Sequence, residues 1–224
     1  MFQRGKLLRE SEWTRVYEGE LDSRRVVVHE SKFLADGLKV SAESIRARWP
    51  ALSFEERMDF ANAFGAGGEV TAEDERVLDF LMEGGDFPVW MATAQRLRHH
   101  HDKDRVLAFL VERIREEGEH KANFFQAIEL MGDKRALPAL RAAYDAYKTE
   151  LEPPNGPPKP FDYFDYLACC RALWILESST EYKKAIQALV KHRDARISAS
   201  ARQVLRGWRI PPGLRGNDES KRSR

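Results

Sequence analysis

Cysteine is scarce in this sequence. Cys169 and Cys170 are its only two cysteines, and they are neighbours in the chain. Because adjacent residues of a helix point in different directions, we do not expect a disulfide between them. Two free thiols are typical of a reducing compartment.

Long hydrophobic runs are missing as well. No stretch approaches the roughly 18 consecutive apolar residues of a membrane-spanning helix. The first ten residues, MFQRGKLLRE, contain no apolar core of the length that a secretory signal needs. Together with the free thiols, these absences predict a cytoplasmic protein that makes no contact with a membrane.

The chain has no surplus of charge of one sign. Its 37 basic and 36 acidic residues leave a formal net charge of +1. A non-specific nucleic-acid binder needs a strongly basic surface, so this balance argues against a nucleic-acid partner. Hydrophobic residues make up 42% of the chain and charged residues 33%. This composition predicts a folded core under a heavily charged surface.

A seven-residue pattern recurs four times along the chain. Each copy runs charged, basic, small apolar, Leu or Ile, any residue, Phe or Ala, and Leu, which places the apolar residues on one face of a helix. The copies are 75–81, 104–110, 134–140 and 183–189. The last two copies are farther apart than the others because a proline-rich stretch, which cannot continue a helix, lies between them at 153–160.

A second helix-like segment follows each copy of the pattern. These segments are roughly 88–99, 121–131, 165–177 and 195–208. Glycine or serine turn signals separate the two segments of each repeat, or one repeat from the next. The period therefore predicts four helix–turn–helix repeats, which bury their apolar faces by stacking on one another.

The third copy resembles the first helix of a HEAT repeat, of the short bacterial kind found in phycobilisome-lyase-type proteins. Residues 132–140, GDKRALPAL, have the Gly-Asp turn, basic residue, Ala, aliphatic residue, Pro and Leu of that pattern. The other copies lack the proline, and the resemblance covers roughly 71–208. It implies an all-α fold, a right-handed α-solenoid of stacked HEAT-like helix pairs. It implies little about function, because HEAT arrays serve many unrelated purposes.

The region before the repeats is interpreted as an N-terminal helical cap. Ser53 and Glu56 have the spacing of a capping box, and Ser41 is placed to cap a shorter helix. Farther upstream, helices over 11–18 and 23–36 would each end at a glycine. A β-hairpin is the alternative there, because three consecutive valines suit a strand, but the spacing of the apolar residues favours a helix. The predicted parts are a helical cap region (1–70), HEAT-like repeats (71–210) with a Pro-rich insert at 150–164, and a disordered tail (211–224).

The histidine run and the cysteines are the residues that could carry chemistry. Three consecutive residues, His99 to His101, cannot all face one ion on a helix, and histidine suits the C-terminal end of a helix. Cys169 and Cys170 are expected to pack as small apolar side chains in a buried helix. The sequence therefore predicts no catalytic residue, no metal ligand and no bound cofactor.

The predicted function is a non-catalytic protein-interaction scaffold or adaptor. In stacked helix pairs the second helices usually line the concave groove, and insertions map to loops on one face, which is often the binding face. The predicted contact residues for a protein partner are Gln95, Arg98, Asn123, Gln126, Phe161, Tyr163, Arg171 and Arg202. Combined substitution of Asn123, Gln126 and Arg171 is expected to abolish binding and to leave the melting temperature nearly unchanged.

Two other functions stay open at this point. The resemblance implies, as one alternative, a lyase-type helper that acts on a bilin or another prosthetic group. The other is a HEAT-like DNA-binding or DNA glycosylase protein, since Trp90, Trp174 and Trp208 recur in the second helices. The balanced charge argues against a phosphate-binding cleft, and packing between helices is the simpler explanation of the tryptophans.

Overall fold

A computed structural model describes residues 2–21, 24–66, 70–116, 120–151 and 163–207. The described residues form two compact units, 2–101 and 102–207. Within the described ranges, no helix combines the length and the apolar character that crossing a membrane requires.

The first unit begins with an antiparallel sheet, at the place where helices were predicted. Its strands are β1 (Phe2–Glu10), β2 (Thr14–Leu21) and β3 (Arg24–Ser31), in the order β1-β2-β3. The helices predicted over 11–18 and 23–36 are therefore wrong, apart from the short α1 (Lys32–Ala35), and the fold is mostly helical rather than all-α. The hairpin alternative is confirmed, because β2 and β3 pair without a break from Thr14 and Ser31 to Leu21 and Arg24.

Four longer helices follow in the described part of the first unit. They are α2 (Ala42–Arg48), α3 (Phe54–Gly65), α4 (Ala72–Gly84) and α5 (Phe87–Leu97). The predicted caps are confirmed: the Ser41 side chain accepts a hydrogen bond from Ser44 N at 3.1 Å, and Ser53 and Glu56 form the complete capping box. The four helices can be taken as two successive pairs, α2–α3 and α4–α5. The first helices of the pairs, α2 and α4, contact each other, and so do the second helices, α3 and α5.

An aromatic cluster joins the sheet to the helices of the first unit. The Trp13 ring lies 5.1 Å from the ring of Phe60, and Phe33 packs edge-on against both Phe60 and Phe64. Ser31 at the end of β3 donates a hydrogen bond of 2.7 Å to the Ala63 carbonyl of α3. The sheet thus packs against α3.

The second unit is a set of packed helices. They are α6 (Lys103–Arg115), α7 (Ala122–Met131), α8 (Leu137–Leu151), α9 (Tyr163–Glu177), α10 (Thr180–Leu189) and α11 (Ala195–Leu205). Together with α4 and α5, they confirm the helices predicted for the four repeats. Gly132 ends α7 with a φ of 72°, as the Gly-Asp turn requires.

Helix α9 is the centre of the second unit. It contacts α7, α8, α10 and α11, and every residue from Asp165 to Leu173 is buried. At its start, the Asp165 carboxylate accepts a hydrogen bond of 2.7 Å from the Ala122 amide at the start of α7. This central segment of α9 is therefore enclosed on all sides, whereas Phe164 and Ile175 near its ends are exposed.

Candidate functional site

An open groove lies between α2 and α4 in the first unit. Its volume is about 620 Å³. Charged side chains dominate the lining, which consists of Ser41, Ala42, Glu43, Arg46, Glu73, Arg76, Asp79 and Glu83. The four carboxylates outnumber the two guanidinium groups, so the groove is acidic. We call it the α2–α4 groove.

Glu73 fixes the geometry of the groove, since its carboxylate connects the two helices. Its Oε1 accepts a hydrogen bond of 2.8 Å from the Ala42 amide, and its Oε2 accepts one of 2.8 Å from Arg76 Nη1. The hydrogen bond from the Ala42 amide is the largest of the effects that lower the pKa of Glu73, and Arg76 lowers this pKa further. Glu73 is therefore ionised at neutral pH and holds the N-terminus of α2 against α4.

Arg46 forms the opposite wall of the groove. Its guanidinium group lies 5.5 Å from the centroid of the Phe80 ring, an aromatic residue buried on α4. A cation over an aromatic face is attracted to it, which restrains this side chain. Glu43 and Glu83 are exposed in the same lining, so solvent and a partner can reach their carboxylates.

Two histidines after the end of α5 approach two carboxylates of α4. His101 Nδ1 lies 2.6 Å from Glu75 Oε2, and the backbone amide of His101 donates a 2.8 Å hydrogen bond to Glu75 Oε1. His100 Nε2 lies 3.3 Å from Asp79 Oδ1. Burial disfavours the charged form of Glu75, but the hydrogen bonds from His101 outweigh it and lower the pKa of Glu75. We call these four residues the histidine corner.

The structure places the predicted contact residues in different environments. Gln95, Arg98, Asn123 and Tyr163 are half-buried, and Arg202 is exposed. Gln126 and Arg171 are buried, with 6% and 5% of their surface exposed. Phe161 lies outside the described residues.

Arg171 has internal partners that explain its burial. Its Nε lies 3.0 Å from Glu129 Oε2 on α7, and its Nη1 donates a 2.8 Å hydrogen bond to the Val204 carbonyl of α11. Arg171 therefore connects three helices of the second unit. The polar faces of α7 and α9 at Gln126 and Arg171 are packing surfaces, because the neighbouring helices cover them.

The cysteines and two of the tryptophans have packing roles. Cys169 and Cys170 are fully buried, and burial raises the pKa of the Cys170 thiol to about 12, so it is protonated at neutral pH. Trp90 Nε1 donates a 2.8 Å hydrogen bond to the Leu81 carbonyl. Lys183 Nζ lies 5.1 Å from the centroid of the Trp174 ring. Trp208 is outside the described residues.

The α2–α4 groove and the histidine corner were both missed from the sequence. The acidic first turn of α4, Glu73 to Glu75, is visible there, but it is also typical of any helix N-terminus. The partners that complete these two sites are distant in the chain: 26 residues separate Glu75 from His101, and 31 separate Ala42 from Glu73. Comparisons of this chain with protein-family models, with curated proteins and with solved structures gave no match.

Proposed function

We propose that this chain is a protein-interaction adaptor and that its α2–α4 groove binds a basic segment of a partner protein. The observation that carries the proposal is the charge of the groove, where Glu43, Glu73, Asp79 and Glu83 outnumber Arg46 and Arg76. Complementary charge at an interface speeds association and selects the partner. A segment rich in lysine or arginine fits this lining.

The shape of the groove supports a peptide rather than an apolar small molecule. Sites for small molecules are mostly apolar and enclose the ligand, with few polar groups. The α2–α4 groove is open, and six of its eight lining residues are charged. An extended chain can lie along such a groove and place its cationic side chains against Glu43 and Glu83.

The helix packing supports a HEAT-like array within each unit. First helices contact first helices in the pairs α2–α4 and α6–α8, and second helices contact second helices in the pairs α3–α5, α7–α9 and α9–α11. Stacked helix pairs produce this pattern of contacts, and such arrays are commonly used for binding proteins. The right-handed solenoid and the binding role of the Pro-rich insert stay predictions.

Fluorescence anisotropy with two labelled peptides of equal length tests the proposal. One peptide carries lysines on an alanine–glycine background, and the other carries glutamates at the same positions. We expect the full-length protein to bind the lysine peptide, with an affinity that falls as salt is added, and to leave the glutamate peptide unbound. Failure to bind the lysine peptide at low salt would refute the groove proposal.

A pair of charge-matched variants locates the binding. Glu43→Lys/Glu83→Lys reverses the charge of the groove and is expected to raise the Kd for the lysine peptide at least roughly tenfold, or about 1.4 kcal/mol. Glu20→Lys/Glu55→Lys makes the same change in net charge at exposed positions outside the groove and is expected to keep the wild-type affinity. Equal losses in the two variants would show that binding depends on net charge and not on the groove.

A further inference from the structure

We propose that Glu75, His100 and His101 bind one divalent transition-metal ion of the Zn²⁺ class, with Asp79 beside them. The proposal does not require peptide binding, although Asp79 also lines the α2–α4 groove. Two imidazoles and two carboxylates meet at the histidine corner, and both groups are common zinc ligands in proteins.

The spacing of the donor atoms fits a single ion. Glu75, His100 and His101 each offer a ligand atom, and these atoms all lie within 4.8 Å of one another. Asp79 Oδ1 lies 3.3 Å from His100 Nε2 but is not among the atoms that meet this limit, so Asp79 neighbours the three donors rather than completing the set. Around a tetrahedral zinc ion with bonds of about 2.0–2.1 Å, neighbouring ligand atoms are roughly 3.4 Å apart. Rotation of the exposed His101 side chain brings the three donors closer to that spacing, and a water molecule can supply the fourth ligand.

The two histidines of the corner differ in burial. His100 is 1% exposed, whereas the His101 side chain is 74% exposed and can rotate towards an ion. The two imidazole rings are stacked with centroids 4.9 Å apart. The hydrogen bond from the His101 amide to Glu75 Oε1 orients that carboxylate, the role that outer hydrogen bonds have in known metal sites.

The chemistry of the donors selects the class of ion. The Glu75 carboxylate supplies a negatively charged oxygen ligand, which attracts a cation. Imidazole favours zinc, copper, nickel and iron, whereas Mg²⁺ and Ca²⁺ prefer sites made of oxygen alone. Only two of the three consecutive histidines are needed, because Glu75 on α4 supplies the third donor. The argument that three consecutive residues of a helix cannot all face one ion therefore does not exclude this site.

Calorimetric titration of the full-length protein with Zn²⁺ tests the site. We expect one Zn²⁺ per chain and no comparable binding of Mg²⁺. Loss of an orienting group near a metal ion lowers affinity about 10- to 100-fold, so loss of a ligand in His101→Gln or Glu75→Gln is expected to weaken Zn²⁺ binding at least about tenfold. His29→Gln, at an exposed position of β3, is the matched control and is expected to bind Zn²⁺ as the wild type does.

Co²⁺ absorption provides a second readout that does not depend on affinity alone. A four-coordinate Co²⁺ site shows d–d bands in visible light, which we expect for the wild type and His29→Gln and not for His101→Gln. His101 is mostly exposed, so its substitution leaves the fold intact, which circular dichroism checks. The proposal is overturned if the wild type binds no Zn²⁺, or if His101→Gln and Glu75→Gln bind it with wild-type affinity.

Discussion

The Arg171–Glu129 ion pair illustrates how a single buried contact holds helices together. The two side chains are 6% and 2% exposed, and Arg171 also donates to the Val204 carbonyl. Removal of one partner leaves the other charge buried without compensation. We expect Arg171→Ala to lower the free energy of unfolding by about 3–5 kcal/mol in urea denaturation.

An exposed ion pair provides the control for this prediction. Arg196 pairs with Asp194 at 3.1 Å, but its side chain is 86% exposed. Solvent screens such surface pairs, so Arg196→Ala is expected to change stability far less than Arg171→Ala. Equal effects of the two substitutions would contradict a structural role for the buried pair.

The position of Arg171 also changes an expectation drawn from the sequence. Combined substitution of Asn123, Gln126 and Arg171 was expected to leave the melting temperature nearly unchanged, whereas the burial of Gln126 and Arg171 now predicts a lower one. The amino-acid sequence does not show whether a polar side chain of a helix faces water or a buried partner. Glu129 lies 42 residues before Arg171, so the sequence did not identify this partner.

At the scale of elements, Glu73 couples α2 to α4 in a pH-dependent way. Its pKa in the folded protein is lowered from 4.5, mainly by the Ala42 amide. A carboxyl group whose folded pKa is depressed stabilises the fold above its unfolded pKa, and this stabilisation is lost as pH falls through the folded pKa. Glu73→Gln is therefore expected to melt below the wild type at pH 7, and the difference is expected to shrink as pH falls below 4.5 and to vanish below the lowered pKa of the folded protein.

Thermal melts between pH 3 and pH 8 check this prediction. Glu20→Gln, at an exposed position of β2, is the control and is expected to follow the wild type across the range. A gap between the wild type and Glu73→Gln that stays constant down to pH 3 would rule out ionisation of Glu73 as its source.

The helices were predictable from the sequence, whereas the sheet was indicated there only in part, by the β-hairpin alternative. Helices depend on local signals: the capping box of Ser53 and Glu56, the glycine after α7 and a repeated apolar spacing all lie within a few residues of one another. The strands depend on pairing between residues that are distant in the chain, such as Phe2 with Leu21. The local spacing of Val26 to Leu34 suited a helix, and tertiary pairing outweighed it.

At the scale of the whole molecule, each unit has its own buried core. In the second unit, Phe124, Phe125, Ile128, Leu140 and Leu167 are almost fully buried. A compact unit with its own core can fold alone. We expect the isolated fragment 102–207 to show a helical circular dichroism spectrum and one cooperative unfolding transition in urea.

The steepness of the urea unfolding transition distinguishes a folded fragment from one that is only partly structured. The denaturant dependence of the unfolding free energy increases with the surface that unfolding exposes, so a folded fragment is expected to show a steep transition. A broad or sloping loss of helix signal would show that the fragment needs the first unit. The repeat period predicted continuous stacking from 71 onward and gave no sign that the described residues divide at His101 and Asp102.

The burial of α9 on every side has a consequence for how this sequence can vary. In an ordinary surface helix such as α10, Tyr182 and Ile186 are buried while Glu181, Gln187 and Ala188 face the solvent, so many positions accept polar replacements. From Asp165 to Leu173 every position of α9 is buried, so none of them accepts polar replacements in this way. A library of random variants should therefore retain few changes in this one segment, and mutational tolerance along the chain should reach a minimum there.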